Sequence, residues 1–120
     1  MAKLSSRGAG ALRRERTRLL EELSTLSLLL RGSYLERFST CSRPNCSCHQ
    51  GKRHGPRRYV VITRDKAQRQ IYVPQTQVDI VRAGIQQYHR LLEIVDRITA
   101  INLELMQRRV LNESVKKGYP

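Results

Sequence analysis

Three cysteines fall within eight residues, Cys41, Cys46 and Cys48, and His54 follows shortly after. This Cys-x4-Cys-x-Cys-x5-His pattern constrains the chain more than any other feature. An odd number of closely spaced cysteines does not suit a disulfide framework, and it fits a reducing compartment better. Zinc takes four nitrogen or sulfur ligands in a tetrahedron, and three thiolates with one imidazole complete such a shell. Pro44 and Asn45 suit a tight turn between the first two thiols. In an extended chain, Cys46 and Cys48 project to the same side. His49 is the rival fourth ligand, but it follows Cys48 directly and the same alternation turns it away. His54 precedes Gly55-Pro56, a turn signal that would hold its ring in place. The expected metal set is therefore Cys41, Cys46, Cys48 and His54. Asp65 is the single acid between Ser39 and Val78, so no carboxylate stands ready to act as a base. The zinc is expected to be structural. Iron–sulfur clusters normally want four cysteines, and no helix-mounted Cys-x-x-Cys points to redox chemistry.

Two long apolar-periodic segments flank this region. Leu12, Leu19 and Leu26 are seven apart, and Arg16, Leu23 and Leu30 interleave with them. Such alternating steps of four and three are the seam pattern of packed helices. The first helix is expected over 9–38. The second is expected over 76–112, capped by Thr76, with Val78, Val81, Ile85, Tyr88, Leu92 and Val95 along one stripe. Between them, 41–58 is rich in loop signals and reads as the metal-binding loop. Residues 59–73 read as a β-hairpin: Tyr59-Val60-Val61-Ile62-Thr63, a turn over Arg64 to Gln68, then Arg69 to Val73. The expected fold is mainly α, a single domain over 1–120. It is an antiparallel hairpin of two long helices with a small zinc-stapled loop and β-hairpin at the tip. Two such helices leave apolar surface uncovered, so a homodimer or a protein partner through the helix faces is an expectation.

The run CSRPNCSCHQGKRHGPRRYVVITR, followed by RQIYVP and a long helix, resembles a family of small uncharacterised bacterial and archaeal proteins. These share Cys-x4-Cys-x-Cys, then His-Gly-Pro, a β-hairpin and a closing Val-Pro-helix. The resemblance covers about Arg31 to Leu105. It favours His54 as the fourth ligand, because His-Gly-Pro is the shared element, and it implies no particular activity.

The net charge is +13, from 23 Lys and Arg against 10 Asp and Glu. A small protein so charged is expected to meet a polyanion. Eight basic residues crowd the middle of the chain: Arg43, Lys52, Arg53, Arg57, Arg58, Arg64, Lys66 and Arg69. Tyr59 and Tyr72 on the hairpin are placed to stack on bases. The expected function is therefore non-enzymatic nucleic-acid binding through a zinc-held basic tip, within a ribonucleoprotein or mobile-element complex. RNA is favoured slightly over DNA, because zinc knuckles commonly take single strands. On the helices, Arg82, Arg90, Arg97 and Arg108 have acids near in sequence and read as solvated. The alternative is a coiled-coil adaptor or dimerisation module, with the charge serving solubility. No catalytic constellation emerges around His89 or the tyrosines, so an enzyme is not expected. No apolar run approaches the ~20 residues needed to cross a bilayer, and a cytoplasmic protein is expected.

Overall fold

The computed structural model describes residues 3–39, 45–46, 50–51 and 54–111, His54 by its backbone. The elements run α1 (Ala9–Leu23), β1 (Ser33–Ser39), β2 (His54–Arg64), β3 (Ala67–Tyr72) and α2 (Val78–Gln107), with short 3-10 turns at Leu4–Ser6 and Gln75–Gln77. The strands form one antiparallel sheet in the order β1-β2-β3. The chain divides into two compact units, Met1–Ser27 with His89–Pro120, and Leu28–Tyr88. A hairpin of two long helices with a two-stranded tip is therefore not the fold. The first helix has 15 residues, and the rest of its expected span crosses into the sheet.

Helix α1 stops where hydroxyls begin. The Ser24 hydroxyl donates to the Glu21 carbonyl and the Thr25 hydroxyl to that of Glu22, each at 2.7 Å. Such bonds compete with the helical ladder. The Thr25 and Leu26 N–H groups turn to the carbonyls three residues back, Glu22 and Leu23, the tightening that commonly ends a helix. In the unit containing α1, Leu12, Ile101 and Leu105 are fully buried, ringed by Leu4, Ala9, Leu19, Val110 and Leu111. The helices there run antiparallel, since Glu15 meets Arg97 and Glu22 meets Arg90. Arg16, which interrupts the apolar seam of α1, donates to Asn102 Oδ1 at 2.7 Å. Beyond Gln107 the helix closes in a Schellman turn. Val110 N–H donates to the Leu105 carbonyl, Arg109 N–H to that of Met106, and Arg109 takes φ 61°.

In the second unit, an extended segment leads from Leu28 to Gly32. Leu28 N–H donates to Gln87 Oε1 at 2.8 Å and Leu30 N–H to the Gly84 carbonyl at 3.1 Å. Gly84 permits this approach: a Cβ there would lie 2.4 Å from the Leu28 carbonyl oxygen. The sheet then packs one face on α2. Val60, Val73 and Ile85 are buried, with Leu30, Tyr34, Ile62, Val78 and Val81 against them. Each such aliphatic side chain, once buried, contributes about 1.5–3 kcal/mol. Thr76 lies in the 3-10 turn before α2 and does not cap the helix from outside.

The β2–β3 hairpin matches the expected one with a tighter turn. Arg64 pairs with Ala67, leaving Asp65 and Lys66 as a two-residue connection, both at positive φ (53° and 64°). That geometry is the hairpin turn whose twist suits the strands. Strand β2 begins at His54, so the last five residues of the expected loop are strand.

Candidate nucleic-acid interface

Residues paired across a ladder share a face, and the face alternates along each strand. Tyr34, Val60 and Ile71 stand in one row, and Glu36, Arg58 and Ile62 lie on the same side, the side α2 covers. The opposite side carries Leu35 beside Tyr59 beside Tyr72, and one rung away Arg37 beside Arg57. Val61 with Gln70, and Thr63 with Gln68, complete it. Among the described residues, this second face holds no acidic residue.

The eight basic positions expected to act together are thereby separated. Arg57 lies on the open face. Arg58 is half-buried on the α2 side, opposite Glu36. There the Tyr34 hydroxyl donates to Glu36 Oε1 at 2.9 Å, and the Arg82 guanidinium carbon sits 4.5 Å from the Tyr34 ring centroid. Desolvation first, and then the bond to Glu36, raise the Tyr34 phenol above its ordinary value, while the charges of Arg82 and Arg58 pull it down. Arg58 thus stands on the α2 side of the sheet, beside Glu36 and within electrostatic reach of Tyr34. Arg82 is exposed, as its sequence neighbours suggested, and also lies over the Tyr34 ring. Arg64, Lys66 and Arg69 are exposed at the hairpin end. From Arg57 to Arg64 the strand spans about 23 Å at ~3.3 Å per residue. Arg43, Lys52 and Arg53 lie outside the described residues.

Of the expected metal ligands, Cys41 and Cys48 lie outside the described residues, as does the rival His49. Cys46 is half-buried and follows Asn45 in a turn. His54 is the first residue of β2, and its backbone pairs with Ser39, the last of β1. The ladder register therefore delivers the two ends of the cysteine segment side by side. Just inside that rung the register shifts between Arg37 and Ser39. Gly55 sits there at φ 142°, where an added Cβ would lie 2.8 Å from the Arg37 carbonyl oxygen. Only glycine meets both demands.

The arginines differ in how they are neutralised. In the helical unit, Arg97 and Arg7 both pair with Glu15, Arg90 grips Glu22 through two bonds of 2.5 and 2.7 Å, and Arg108 meets Glu104 at 2.8 Å. The bonds from Arg97 first, then Arg7, hold the Glu15 carboxyl at about 2, against an opposing desolvation. Among the described residues, Arg37, Arg57, Arg64 and Arg69 make no ion pair. Sequence reasoning missed Arg37, because the segment through 38 was read as the end of the first helix. The aromatic and β-compatible Tyr34, Leu35 and Phe38 after Gly32-Ser33 were the available signal.

Residues 10–83 match the family described as Domain of unknown function (DUF6788). The chain belongs to that family. The DUF6788 region takes in nearly all of α1, the whole sheet and the first turns of α2, so the open face and the cysteine segment both lie inside it. No curated protein and no solved structure is detectably similar to the chain.

Proposed function

We infer that this DUF6788 protein is a non-enzymatic nucleic-acid-binding protein. Its basic contact centres on the end of the sheet where the cysteine segment leaves and re-enters. The observation that carries this reading is the Arg37–Arg57 rung, two cations directly opposite each other on a face without an acid. Like charges in that position cost stability, and successive phosphates of a strand laid beside them would remove the cost. Arg43, Lys52 and Arg53 belong to the segment that starts beside this rung. Zinc held by Cys41, Cys46, Cys48 and His54 would fix that segment, supported by the Ser39–His54 pairing at its mouth. Its role would be structural. RNA remains slightly favoured over DNA, in a ribonucleoprotein or mobile-element complex.

The test is retention of labelled RNA and DNA on filters at several salt concentrations. Binding should weaken steeply as salt rises, and reversing Arg37 and Arg57 to Glu together should abolish it. No retention at low salt, or retention indifferent to salt, refutes the reading.

A second reading rests on a separate observation. Leu92, Val95, Leu103 and Met106 are each 43–51 % exposed, and their spacing puts them on one side of α2. That stripe suits a second copy of the chain. Sedimentation would show a dimer that Leu103→Glu dissociates. A monomer at all concentrations removes the idea.

A further inference from the structure

We propose that the open face of the sheet is a seat for single-stranded nucleic acid, with bases stacked on Tyr72 and Tyr59 and the phosphate backbone held by Arg37 and Arg57. This rests on the nucleic-acid reading above and narrows it to a class of ligand and a specific surface.

Four observations converge. Tyr59 and Tyr72 are direct cross-strand partners, their ring centroids 6.3 Å apart and their planes at 77°. The contact steadies Tyr72 while leaving it 58 % exposed, an unfavourable position for an aromatic that only serves packing. The Arg37–Arg57 rung is one step along the same face, about 7 Å away by strand geometry. The rung beyond the tyrosines offers Gln70, and the next one Gln68 and Thr63, groups able to bond base edges. A sheet face with aromatic rings flanked by cations is how single strands are held without a deep pocket. A duplex keeps its base faces stacked inside and cannot use the rings. Among the described residues no acid lies on this face, so nothing there repels the phosphates of the strand.

The chain has no Trp, so Tyr72→Trp installs a single indole reporter at the site. Fluorescein-labelled 15-residue oligouridylate and oligothymidylate, and a 15-pair DNA duplex, are titrated into the full-length protein and its variants. The wild type should bind single strands more tightly than the duplex. Tyr72→Ala should weaken single-strand binding by about 5- to 100-fold with the salt dependence unchanged, and Tyr72→Phe should stay within about twofold. Single strands should quench Tyr72→Trp emission over the same concentration range as they bind. Equal affinity for duplex and single strand, an unaltered Tyr72→Ala, or unquenched emission on binding overturns the stacking face, while salt-dependent binding leaves the broader reading standing. No binding of any polymer at low salt overturns both.

Discussion

Arg37 of β1 stands directly opposite Arg57 of β2 on the face of the sheet away from α2. Cross-strand pairs of like charge are destabilising, and opposite charges in the same place are worth about 0.2–1 kcal/mol. Arg57→Glu therefore converts a repulsive rung into an attractive one. It should raise the urea midpoint of the free protein slightly, by about 0.5–1 kcal/mol in stability, while weakening nucleic-acid binding. A variant that lost stability as well as affinity would mean that Arg57 supports the sheet.

Gly84 and the Leu28 carbonyl define the junction between the extended segment and α2. Helix propensity alone predicts that Gly84→Ala gains about 1 kcal/mol. The structure predicts the opposite sign, since the new Cβ would meet a backbone oxygen at 2.4 Å and the Leu30 side chain at 3.0 Å. Overpacking of this kind costs about 1–3 kcal/mol. Chemical denaturation should show a lower midpoint for Gly84→Ala, and a rise would place Leu28 away from the helix.

These two sites show what was legible in the sequence and what was not. The β2–β3 hairpin followed from alternation, and Val78, Val81 and Ile85 of the expected α2 stripe do pack against the sheet, whereas Leu92 and Val95 of the same stripe are exposed. The span 24–39 did not. Its Leu26 and Leu30 continue the seven-residue spacing of α1, and Leu, Glu and Arg are good helix formers. Yet Ser24 and Thr25 divert the backbone, and Ser33–Ser39 gains a full ladder against β2. Non-local pairing outweighed local propensity, as it commonly does for edge strands. The basic cluster was legible as composition. Its division between two faces of a sheet was not, because alternation separates Arg57 from Arg58 only once both are known to be strand.

The acid sensitivity of the helical unit should trace to Glu15. Its carboxyl lies at about 2 in the folded protein against an ordinary 4.5. Between those values the unfolded chain binds the proton that the folded one refuses. The stabilisation is therefore complete above about pH 4.5 and fades as pH falls toward 2. Glu22, lowered by its bonds to Arg90, acts in the same direction. Urea midpoints measured from pH 7 down to pH 2.5 should fall for the wild type and fall less for Glu15→Gln. Parallel curves for the two proteins would deny Glu15 this role.

The cysteine segment should carry one zinc per chain. Elemental analysis of purified protein should find it, and Cys46→Ser should release it, since replacing a thiolate by a hydroxyl removes a charged soft ligand from the compact Cys41, Cys46, Cys48 and His54 set. His54→Ala should weaken binding more than His49→Ala. Full zinc occupancy in Cys46→Ser would remove this assignment without touching the sheet.

The central claim is that the Arg37–Arg57 end of the sheet grips phosphate. Its most direct test is the salt dependence of oligonucleotide affinity for the wild type and for Arg37→Ala/Arg57→Ala. The wild type should show a negative slope of log affinity against log salt. The double variant should bind more weakly, with that slope shallower by about 1.5, since each lost phosphate contact removes about 0.7–0.9. An unchanged slope and affinity in the double variant would contradict the account, because the nucleic acid would then be held elsewhere.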